Sequence, residues 1–506
     1  MTRDRARRRG PVTALLTAAL VLAACSSAGD GADRSPDGHP TGPTPGGHGE
    51  TSTGKPVPEV DWSDCDGAYE CAQVEVPIDY DATAGGTIDI ALIRRTATDP
   101  SRRIGSLLVN PGGPGGSGVA TVPFLSLPAE VAERFDVVGF DPRGVGRSAA
   151  LGCRTHLQAI YDVDPTLEGQ ADRDAFLDVS QDFVDECDED HGELLAHLGT
   201  ENVARDLDQI RAAVGDEQLT YLGYSYGTSI GQQYARLFPA RVRAMALDGV
   251  VDVTRTGLES AAGQAEGFTR ALDAFIDACD TRGCGLDEPA GGAVDTVIAA
   301  AEATPIPAPG ADRPATPGVV ALALAQPLYA PSLWPQLGRA LDEALDGDAA
   351  GLVRLADEYL NRDADGTYPG GFEVYFAVNC LDSAWPDDPE TVFDAAAEVG
   401  DEFPRIGEAL VNDYARCPLW PVDPAPLEPV PTDIEDLDPI VLVGTTGDPA
   451  TPYRSAEAVA EQIPRSTLVT FQGDGHTIYG QGNGCVDDAV TEYLVELTTP
   501  PPDLVC

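Results

Sequence analysis

Short apolar runs alternate with segments of helical periodicity through the first half of the chain. Runs typical of buried strands occupy 74–78, 88–93, 107–109, 135–140, 219–222 and 244–247. Helix-length segments separate several of them, as at 202–214, where apolar residues recur at Val203, Leu207, Ile210 and Val214. Strands that alternate with helices predict an α/β fold with a mostly parallel sheet flanked by helices.

The pattern changes between 254 and 431, where amphipathic helical segments follow one another without a convincing strand. Examples are 267–279, 293–303, 333–345 and 352–360. The strand pattern returns afterwards, with strands at 439–443 and 467–471 and helices at 454–463 and 486–497. The simplest interpretation is a large helical cap insertion, 254–431, which interrupts a single α/β core formed by 56–253 and 432–506.

The N-terminal segment has the pattern of an export signal. Five arginines within the first nine residues precede an apolar run at 12–22, which is too short to span a membrane. The following Leu-Ala-Ala-Cys, ending at Cys25, resembles a bacterial lipobox, in which the cysteine is lipid-modified. We therefore predict a lipoprotein signal peptide at 1–24 and lipidation of Cys25; the alternative is an ordinary signal peptide with a chance cysteine. The protein would be exported, either anchored to the outer face of the cytoplasmic membrane or secreted.

Residues 25–55 and the overall charge narrow the possible partners. The segment 25–55 is rich in Gly, Pro, Ser, Thr and Asp and almost free of apolar residues, which predicts a disordered tether. The chain carries 83 acidic and 32 basic residues, a formal net charge of -51. Such a surface repels phosphate backbones, so no nucleic-acid partner is predicted. Contact with a membrane is predicted only through the N-terminal anchor.

The cysteines independently favour an oxidising compartment. Of the eleven cysteines, ten remain after Cys25, an even number suited to five disulfides. Pairing neighbours along the chain predicts Cys65 with Cys71, Cys153 with Cys187, Cys279 with Cys284, Cys380 with Cys417, and Cys485 with Cys506. A metal site is the rival interpretation, but there is no Cys-x-x-Cys and the histidines are scattered, so no metal is predicted.

The pentapeptide Gly-Tyr-Ser-Tyr-Gly at 223–227 lies between a predicted strand and a predicted helix. In that setting a Gly-x-Ser-x-Gly turn presents its serine, here Ser225, as a nucleophile. Serine-based acyl transfer also needs a histidine base, an acid to orient it, and donors for the oxyanion. His476 is the only histidine after Ser225, and it lies in a polar loop directly after the strand at 467–471.

The acid is chosen among three aspartates. Asp448 follows the strand at 439–443, so its carboxylate is expected at the carboxyl edge of the sheet, near Ser225. Asp248 also follows a strand and is the runner-up, although a role in a structural turn suits it better. Asp474 is too close to His476 in sequence. We therefore predict Asp448 as the acid.

A glycine-rich loop at 110–118 follows the strand at 107–109 and is predicted to form part of the oxyanion site. Its bare backbone can approach a substrate carbonyl, and the predicted donors are the N–H groups of Gly113 and Tyr226. A phosphate cradle is the alternative for such a loop, but no Gly-Lys-Ser/Thr follows it. Nucleotide binding is therefore disfavoured, and no cofactor is predicted.

These motifs together resemble a known branch of the α/β-hydrolases. Pro-Gly-Gly-Pro-Gly-Gly at 111–116, Asp-Pro-Arg-Gly-Val-Gly-Arg-Ser at 141–148, the serine pentapeptide and Gly-Asp-Gly-His at 473–476 are similar to those of prolyl and tripeptidyl aminopeptidases. The closing segment, with Thr-Gly-Asp-Pro at 446–449, resembles the C-terminal region of secreted bacterial tripeptidyl aminopeptidases. Pro111 stands where prolyl aminopeptidases usually carry histidine, which argues against specificity for proline alone.

The resemblance implies a serine exopeptidase that releases short units from the free N-terminus of peptide substrates. Such an enzyme must hold the substrate ammonium group, and Glu373 and Asp382 on the predicted insertion are the candidates; both can equally be solvated helix charges. Two other functions stay open. The same triad serves exported esterases and lipases, and a catalytically silent binding protein can share the fold.

Overall fold

The computed structural model describes residues 59–506 except 66, 83, 84 and 168. The predicted signal peptide, the lipidation site Cys25 and the tether therefore lie outside the described residues. No helix within the described ranges is long and apolar enough to cross a membrane.

A single twisted sheet organises the described part of the chain. Its ten strands run in the order β1-β2-β3-β5-β4-β6-β7-β8-β9-β10. Strands β1 to β3 and the β3–β5 pair are antiparallel, and every other neighbouring pair is parallel. The strands are β1 Ser63–Cys65, β2 Tyr69–Pro77, β3 Thr87–Arg95, β4 Gly105–Asn110, β5 Phe135–Phe140, β6 Leu219–Tyr224, β7 Val242–Asp248, β8 Val441–Gly447, β9 Thr467–Asp474 and β10 Leu504–Val505. The mostly parallel sheet predicted from the alternation of apolar runs is confirmed.

The central strands are buried on both faces, which explains why they appear in the sequence as continuous apolar runs. Every residue of β4, β5 and β6 is buried. Successive side chains alternate between the two layers: Leu108 packs into one apolar cluster, while Leu107 and Val109 pack into another on the opposite face. Helices cover both faces of the sheet. The carboxyl ends of the parallel strands meet at one edge because these strands run in the same direction.

Sixteen α-helices accompany the sheet in the described ranges. They are α1 Gly118–Thr121, α2 Ala129–Arg134, α3 Leu157–Asp162, α4 Gln170–Leu195, α5 Thr200–Ala213, α6 Gly227–Leu237, α7 Gly257–Arg282, α8 Ala290–Ala303, α9 Pro317–Ala325, α10 Trp334–Leu345, α11 Ala350–Leu360, α12 Phe372–Asp382, α13 Pro389–Glu402, α14 Gly407–Asn412, α15 Tyr453–Gln462 and α16 Gly484–Glu496. Eight of them, α7 to α14, lie between β7 and β8. The chain leaves the sheet after β7 and returns to it at β8.

The helical insertion has a core of its own. Side chains of α7 to α11, among them Phe275, Trp334 and Leu337, form an apolar cluster separate from those that pack on the sheet. The later helices α12 and α13 instead pack against α4, which precedes β6: Phe183 meets the ring of Phe376, and Phe176 meets Phe393. The helical layer is thus larger than the predicted insertion 254–431, because α4 contributes to it from outside.

Five disulfides fasten loops and helix ends to this framework. They join the pairs predicted from chain order, with Cα–Cα distances from 4.8 to 5.7 Å: Cys65–Cys71, Cys153–Cys187, Cys279–Cys284, Cys380–Cys417 and Cys485–Cys506. Cys153–Cys187 attaches the loop after β5 to α4, and Cys380–Cys417 joins α12 to the end of the insertion. Each closes a short chain segment and so limits the freedom of the unfolded state.

The Asp-Pro-Arg-Gly motif at 141–148 has a structural role. Asp141 accepts hydrogen bonds from the Ser117 hydroxyl (2.5 Å) and from the Val119 amide (3.1 Å), just beyond the glycine-rich loop. Arg143 is fully buried and pairs with Asp206 at 2.7 Å. A buried arginine paired in this way ties several segments together, so the motif secures the loop after β5 beneath the site.

Candidate active site

Ser225 occupies the sharp turn between β6 and α6. Its φ of 53° lies in the left-handed region, which is costly for a residue other than glycine and is typical of a constrained functional turn. A Cβ on Gly223 would lie 2.4 Å from the carbonyl oxygen of Gly227, so the turn can close only with glycine there. The Ser225 amide donates to the Asp248 carbonyl at 2.8 Å. The serine side chain is thereby held at the carboxyl edge of the sheet, partly exposed to a cleft.

His476 and Asp448 meet at the same edge. The Nδ1 atom of His476 lies 2.9 Å from both carboxylate oxygens of Asp448. The buried carboxylate also accepts hydrogen bonds from the amides of Ala450 and Thr451 and from the Thr451 hydroxyl, which fix its orientation toward the imidazole. Burial alone would lower the pKa of His476, but the charge and hydrogen bond of Asp448 outweigh burial and raise that pKa above its ordinary value. The pair has the geometry of a base oriented by an acid.

Two further contacts hold the histidine loop. The His476 amide donates to the Tyr329 carbonyl at 2.8 Å, and the Tyr329 ring meets the imidazole edge to face at 5.4 Å. Asp248 accepts from the amides of Ile478 and Tyr479, both at 2.8 Å. Burial raises the pKa of Asp248 to about 6. The runner-up acid therefore binds the backbone of the loop and links it to the serine turn.

The glycine-rich loop lies directly against the serine turn. A Cβ on Gly112 would be 2.8 Å from the Ser225 Cβ and 3.3 Å from the Tyr226 nitrogen. Gly113 and Tyr226 both line the cleft beside Ser225. Neither amide donates to an acceptor in the described part of the chain. The residues of the two predicted oxyanion donors thus lie beside Ser225, and both amides lack an acceptor among the described residues.

The cleft measures about 780 Å³ including its open mouth, and the insertion forms much of its wall. Three aromatic side chains of the insertion, Tyr375, Trp385 and Tyr414, line it, with the last two stacked at 4.8 Å. Two charged side chains of the insertion, Asp382 and Arg255, also line the cleft. Among the described residues there is no cluster of histidine, cysteine and acidic side chains that could hold a metal ion.

The two predicted ammonium ligands lie in different surroundings. Glu373 is 1% exposed, pairs with Arg154 at 2.8 Å and accepts from the Gly371 amide, and it does not line the cleft. Because Arg154 already neutralises its charge and it lies outside the cleft, Glu373 is poorly placed to bind a substrate ammonium group. It anchors the start of α12 instead.

Asp382, at the end of α12, lines the cleft and is partly exposed there. Its carboxylate accepts from the Thr200 amide at 3.0 Å and from the Thr200 hydroxyl at 2.5 Å. That hydroxyl lies 2.6 Å from the hydroxyl of Tyr226, so the carboxylate is connected to the turn that follows Ser225. Burial raises the pKa of Asp382 to about 7, and no cationic side chain among the described residues contributes to that value.

Several residues around the site could not be recognised from the sequence alone. Gly112 makes the close approach possible, Tyr329 reaches His476 from the insertion, and Arg255 lines the cleft. The glycine-rich composition pointed to the loop but could not single out Gly112. Nothing in the local sequence marked Tyr329 or Arg255, because their contacts arise only when the insertion packs over the sheet.

The sheet, the serine turn and the histidine loop together define the class of an α/β-hydrolase. Comparison with known proteins agrees: the model of the alpha/beta hydrolase fold matches residues 105–288, and the model described as TAP-like protein matches 401–506.

Curated relatives extend the match over nearly the whole chain. Serine protease Hip1 of Mycobacterium tuberculosis is 39% identical over 490 residues, which are 90% of this chain and 92% of that protein. Tripeptidyl aminopeptidase of Streptomyces lividans is 32% identical, over 88% of this chain and 86% of its own. Carboxylesterase B of M. tuberculosis is 36% identical over 99% of both. The chain belongs to the α/β-hydrolase serine peptidase family, and it is a serine hydrolase.

Proposed function

We propose that the protein is an exported exopeptidase that removes short peptides, such as tripeptides, from the free N-terminus of peptide substrates. The observation that carries the proposal is Asp382, a carboxylate without a described cationic partner, in the cleft that also holds Ser225. A substrate ammonium group would supply the missing charge. The relatives named serine protease and tripeptidyl aminopeptidase support the same assignment.

In the proposed mechanism, the Ser225 hydroxyl attacks the scissile carbonyl carbon while His476 accepts its proton through Nε2. Asp448 holds the imidazole by Nδ1 and stabilises the imidazolium that forms. The N–H groups of Gly113 and Tyr226 bind the oxyanion of the tetrahedral intermediate. His476 then donates the proton to the leaving amine, and an acyl-enzyme on Ser225 remains. Water, activated by the same histidine, hydrolyses this ester and releases the short N-terminal peptide.

An esterase is the second candidate function. The relative named carboxylesterase B, which matches this chain over nearly its whole length, supports it, and the proposed triad can also cleave esters. The two candidates differ in what Asp382 does, because an uncharged acyl ester has no ammonium group for a carboxylate to bind.

A matched substrate panel tests the choice. We would compare tripeptidyl arylamides with a free amino group, the same compounds after N-acetylation, and short acyl esters. The peptidase predicts cleavage of the free-amino amides and strong loss on acetylation; cleavage of esters and acetylated amides alone would reject it. Ser225→Ala must abolish all activity and labelling by a fluorophosphonate, whereas persistent turnover in that variant would refute the assigned nucleophile.

Export and lipidation at Cys25 form a separate part of the proposal. Their support is the sequence of residues 1–25. Mass spectrometry of the mature N-terminus tests them: a diacylglyceryl-modified Cys25 is expected. A mature protein that begins elsewhere, or an unmodified cysteine, would contradict the lipoprotein assignment and leave the peptidase assignment untouched.

A further inference from the structure

Arg255 brings a positive charge into the cleft of a strongly acidic protein. It lies in the turn between β7 and α7 and lines the same cleft as Ser225. The turn is fixed at both ends, because the Arg255 amide donates to the Asp252 carbonyl at 3.5 Å and Thr256 caps α7 by accepting from the Glu259 amide. The residue is half-buried, so its position is set by the fold rather than by free solvent.

The guanidinium group of Arg255 forms no ion pair with any residue that the structure describes. The hydrogen bonds from Thr256 and, to a smaller extent, the charge of Arg255 lower the pKa of Glu259, but neither Glu259 nor Asp252 forms an ion pair with Arg255. Asp252 accepts from the amide and hydroxyl of Thr254, and Glu259 accepts from the amide and hydroxyl of Thr256 in the cap of α7. Buried arginines elsewhere in the chain are paired, as Arg143 is with Asp206. A guanidinium carries five N–H donors in a fixed fork, and those of Arg255 donate to no acceptor in the described part of the chain.

A second arginine strengthens the local charge. A Cβ on Gly263 of α7 would lie 2.8 Å from Nη1 of Arg255 and 3.1 Å from Nη2 of Arg454, so both guanidinium groups pack over this glycine. Arg454 is hydrogen-bonded to Glu266, which also pairs with Arg270 at 2.5 Å. Two arginines, Arg454 and Arg270, thus share a single glutamate, and Arg255 adds a third positive charge next to them.

We propose that Arg255 forms a subsite for a carboxylate of the substrate, either an acidic side chain or the free C-terminal carboxylate of a short peptide. This inference rests on the proposed peptidase function. The cleft would then hold the two charges of a peptide at two points, the ammonium at Asp382 and a carboxylate at Arg255. Planar carboxylate and guanidinium groups match in a bidentate manner, which makes such a contact selective as well as attractive.

The test compares peptides that differ only in charge. One series of free-amino peptides carries Glu or Gln at successive positions, and a second has a free or an amidated C-terminus; the two series distinguish the sources of the carboxylate. In the wild-type enzyme, kcat/KM should favour the carboxylate member of one series by about 10- to 100-fold, the usual range for a hydrogen bond to a charged group. No preference in either series would overturn the proposal.

Arg255→Gln should abolish that preference and leave kcat/KM for the neutral peptides within about twofold, and Arg255→Lys should retain part of it. Arg354→Gln, which removes an exposed positive charge on α11, is the matched control and should change nothing. A preference that survives Arg255→Gln would refute the subsite. If neutral free-amino peptides are not cleaved at all, the proposed function fails, whereas cleavage without charge preference refutes only the subsite.

Discussion

Asp382→Asn is the substitution that most directly tests how the cleft would recognise a peptide. It removes the charge but keeps the shape of the side chain. The asparagine oxygen can still accept from the Thr200 amide, so the start of α5 keeps its hydrogen bond. We expect the variant to fold and to lose activity on peptides with a free amino group, because the proposed partner of the ammonium is gone.

The size of the effect follows from the pKa of this carboxyl. Burial raises the pKa of Asp382 from 3.8 to about 7, which corresponds to about 4 kcal/mol against the ionised form. A bound ammonium would offset this cost. Loss of one partner of a buried charge pair typically costs about 2–5 kcal/mol, so kcat/KM for free-amino peptides should fall by about 30- to 5000-fold.

The pH dependence supplies a second measure of the same group. In the proposed mechanism the free enzyme has Asp382 ionised and His476 neutral. Asp382 gains its proton as pH falls through about 7, and His476, whose pKa is raised above its ordinary value, also gains a proton as pH falls. A plot of log kcat/KM against pH should therefore approach a slope of about two on the acid side for the wild type and about one for Asp382→Asn. Peptide amines with pKa values of about 7.7–8.0 must stay protonated to bind the Asp382 carboxylate, which sets an alkaline limb in the wild type that should be weakened in Asp382→Asn.

The Asp382→Asn substitution should increase the stability of the folded protein at neutral and alkaline pH, although it lowers the activity. Because the folded-state pKa is raised, the folded state favours the protonated carboxyl; that advantage is complete below the unfolded value and is lost as pH rises through about 7. Asparagine has no such loss. The free energy of unfolding of the variant should thus exceed that of the wild type by up to about 4 kcal/mol at about pH 8 and match it at about pH 4.

The matched control is Asp387→Asn, an exposed acid on the same insertion, which should leave both measurements unchanged. The reasoning is refuted if Asp382→Asn retains activity on free-amino peptides within about threefold. It is refuted equally if activity falls by the same factor on N-acetylated substrates, since that result would mean general damage to the site.

Three further substitutions probe the catalytic geometry. Asp448→Asn should lower kcat by about 10⁴-fold, as in other serine triads. The acid limb of any residual activity should also move to lower pH, because the charge that raises the pKa of His476 is gone. Steady-state kinetics over pH check this, and an unshifted limb would contradict it. Gly112→Ala places a methyl group 2.8 Å from the nucleophile's Cβ at a φ of +99° and should abolish fluorophosphonate labelling, while Gly292→Ala, with open space around it, should not. Tyr329→Leu should lower kcat by about 10-fold or more through loss of the ring contact on the imidazole, whereas Tyr329→Phe keeps the ring and should stay near the wild type; equal losses in both would reject the ring contact as the cause.

The candidate triad could be predicted because each of its residues follows a strand. Ser225, Asp448 and His476 all lie just beyond apolar runs, and parallel strands bring such positions to one edge of the sheet. Chain order and a single available histidine then left few choices. The disulfide pairs followed from chain order for a similar reason, since each closes a local segment.

Element boundaries and contacts across the insertion were harder to predict. Helix α7 begins ten residues before the predicted start at 267, because its beginning is marked by the capping pair Thr256 and Glu259 rather than by apolar periodicity. Glu373 and Asp382 looked alike as acids on one helical segment. Their surroundings differ only in the folded protein. Arg154, which is distant in sequence, pairs with Glu373, whereas Asp382 lines the cleft.

The sheet and the insertion contribute different groups to the site, which is consistent with relatives of one fold that carry the names of both peptidases and an esterase. The proposed nucleophile, base, acid and oxyanion donors all come from loops of the sheet, and these groups act on an ester as readily as on an amide. The proposed charge contacts, Asp382 and Arg255, both belong to the insertion, and so does Tyr329, whose carbonyl binds the His476 amide. Substrate choice can therefore change through the insertion without altering the chemistry. The same packing that brings the proposed charge contacts over the cleft also holds His476, the proposed base, so any rearrangement of the insertion that loosens substrate binding should loosen the base as well.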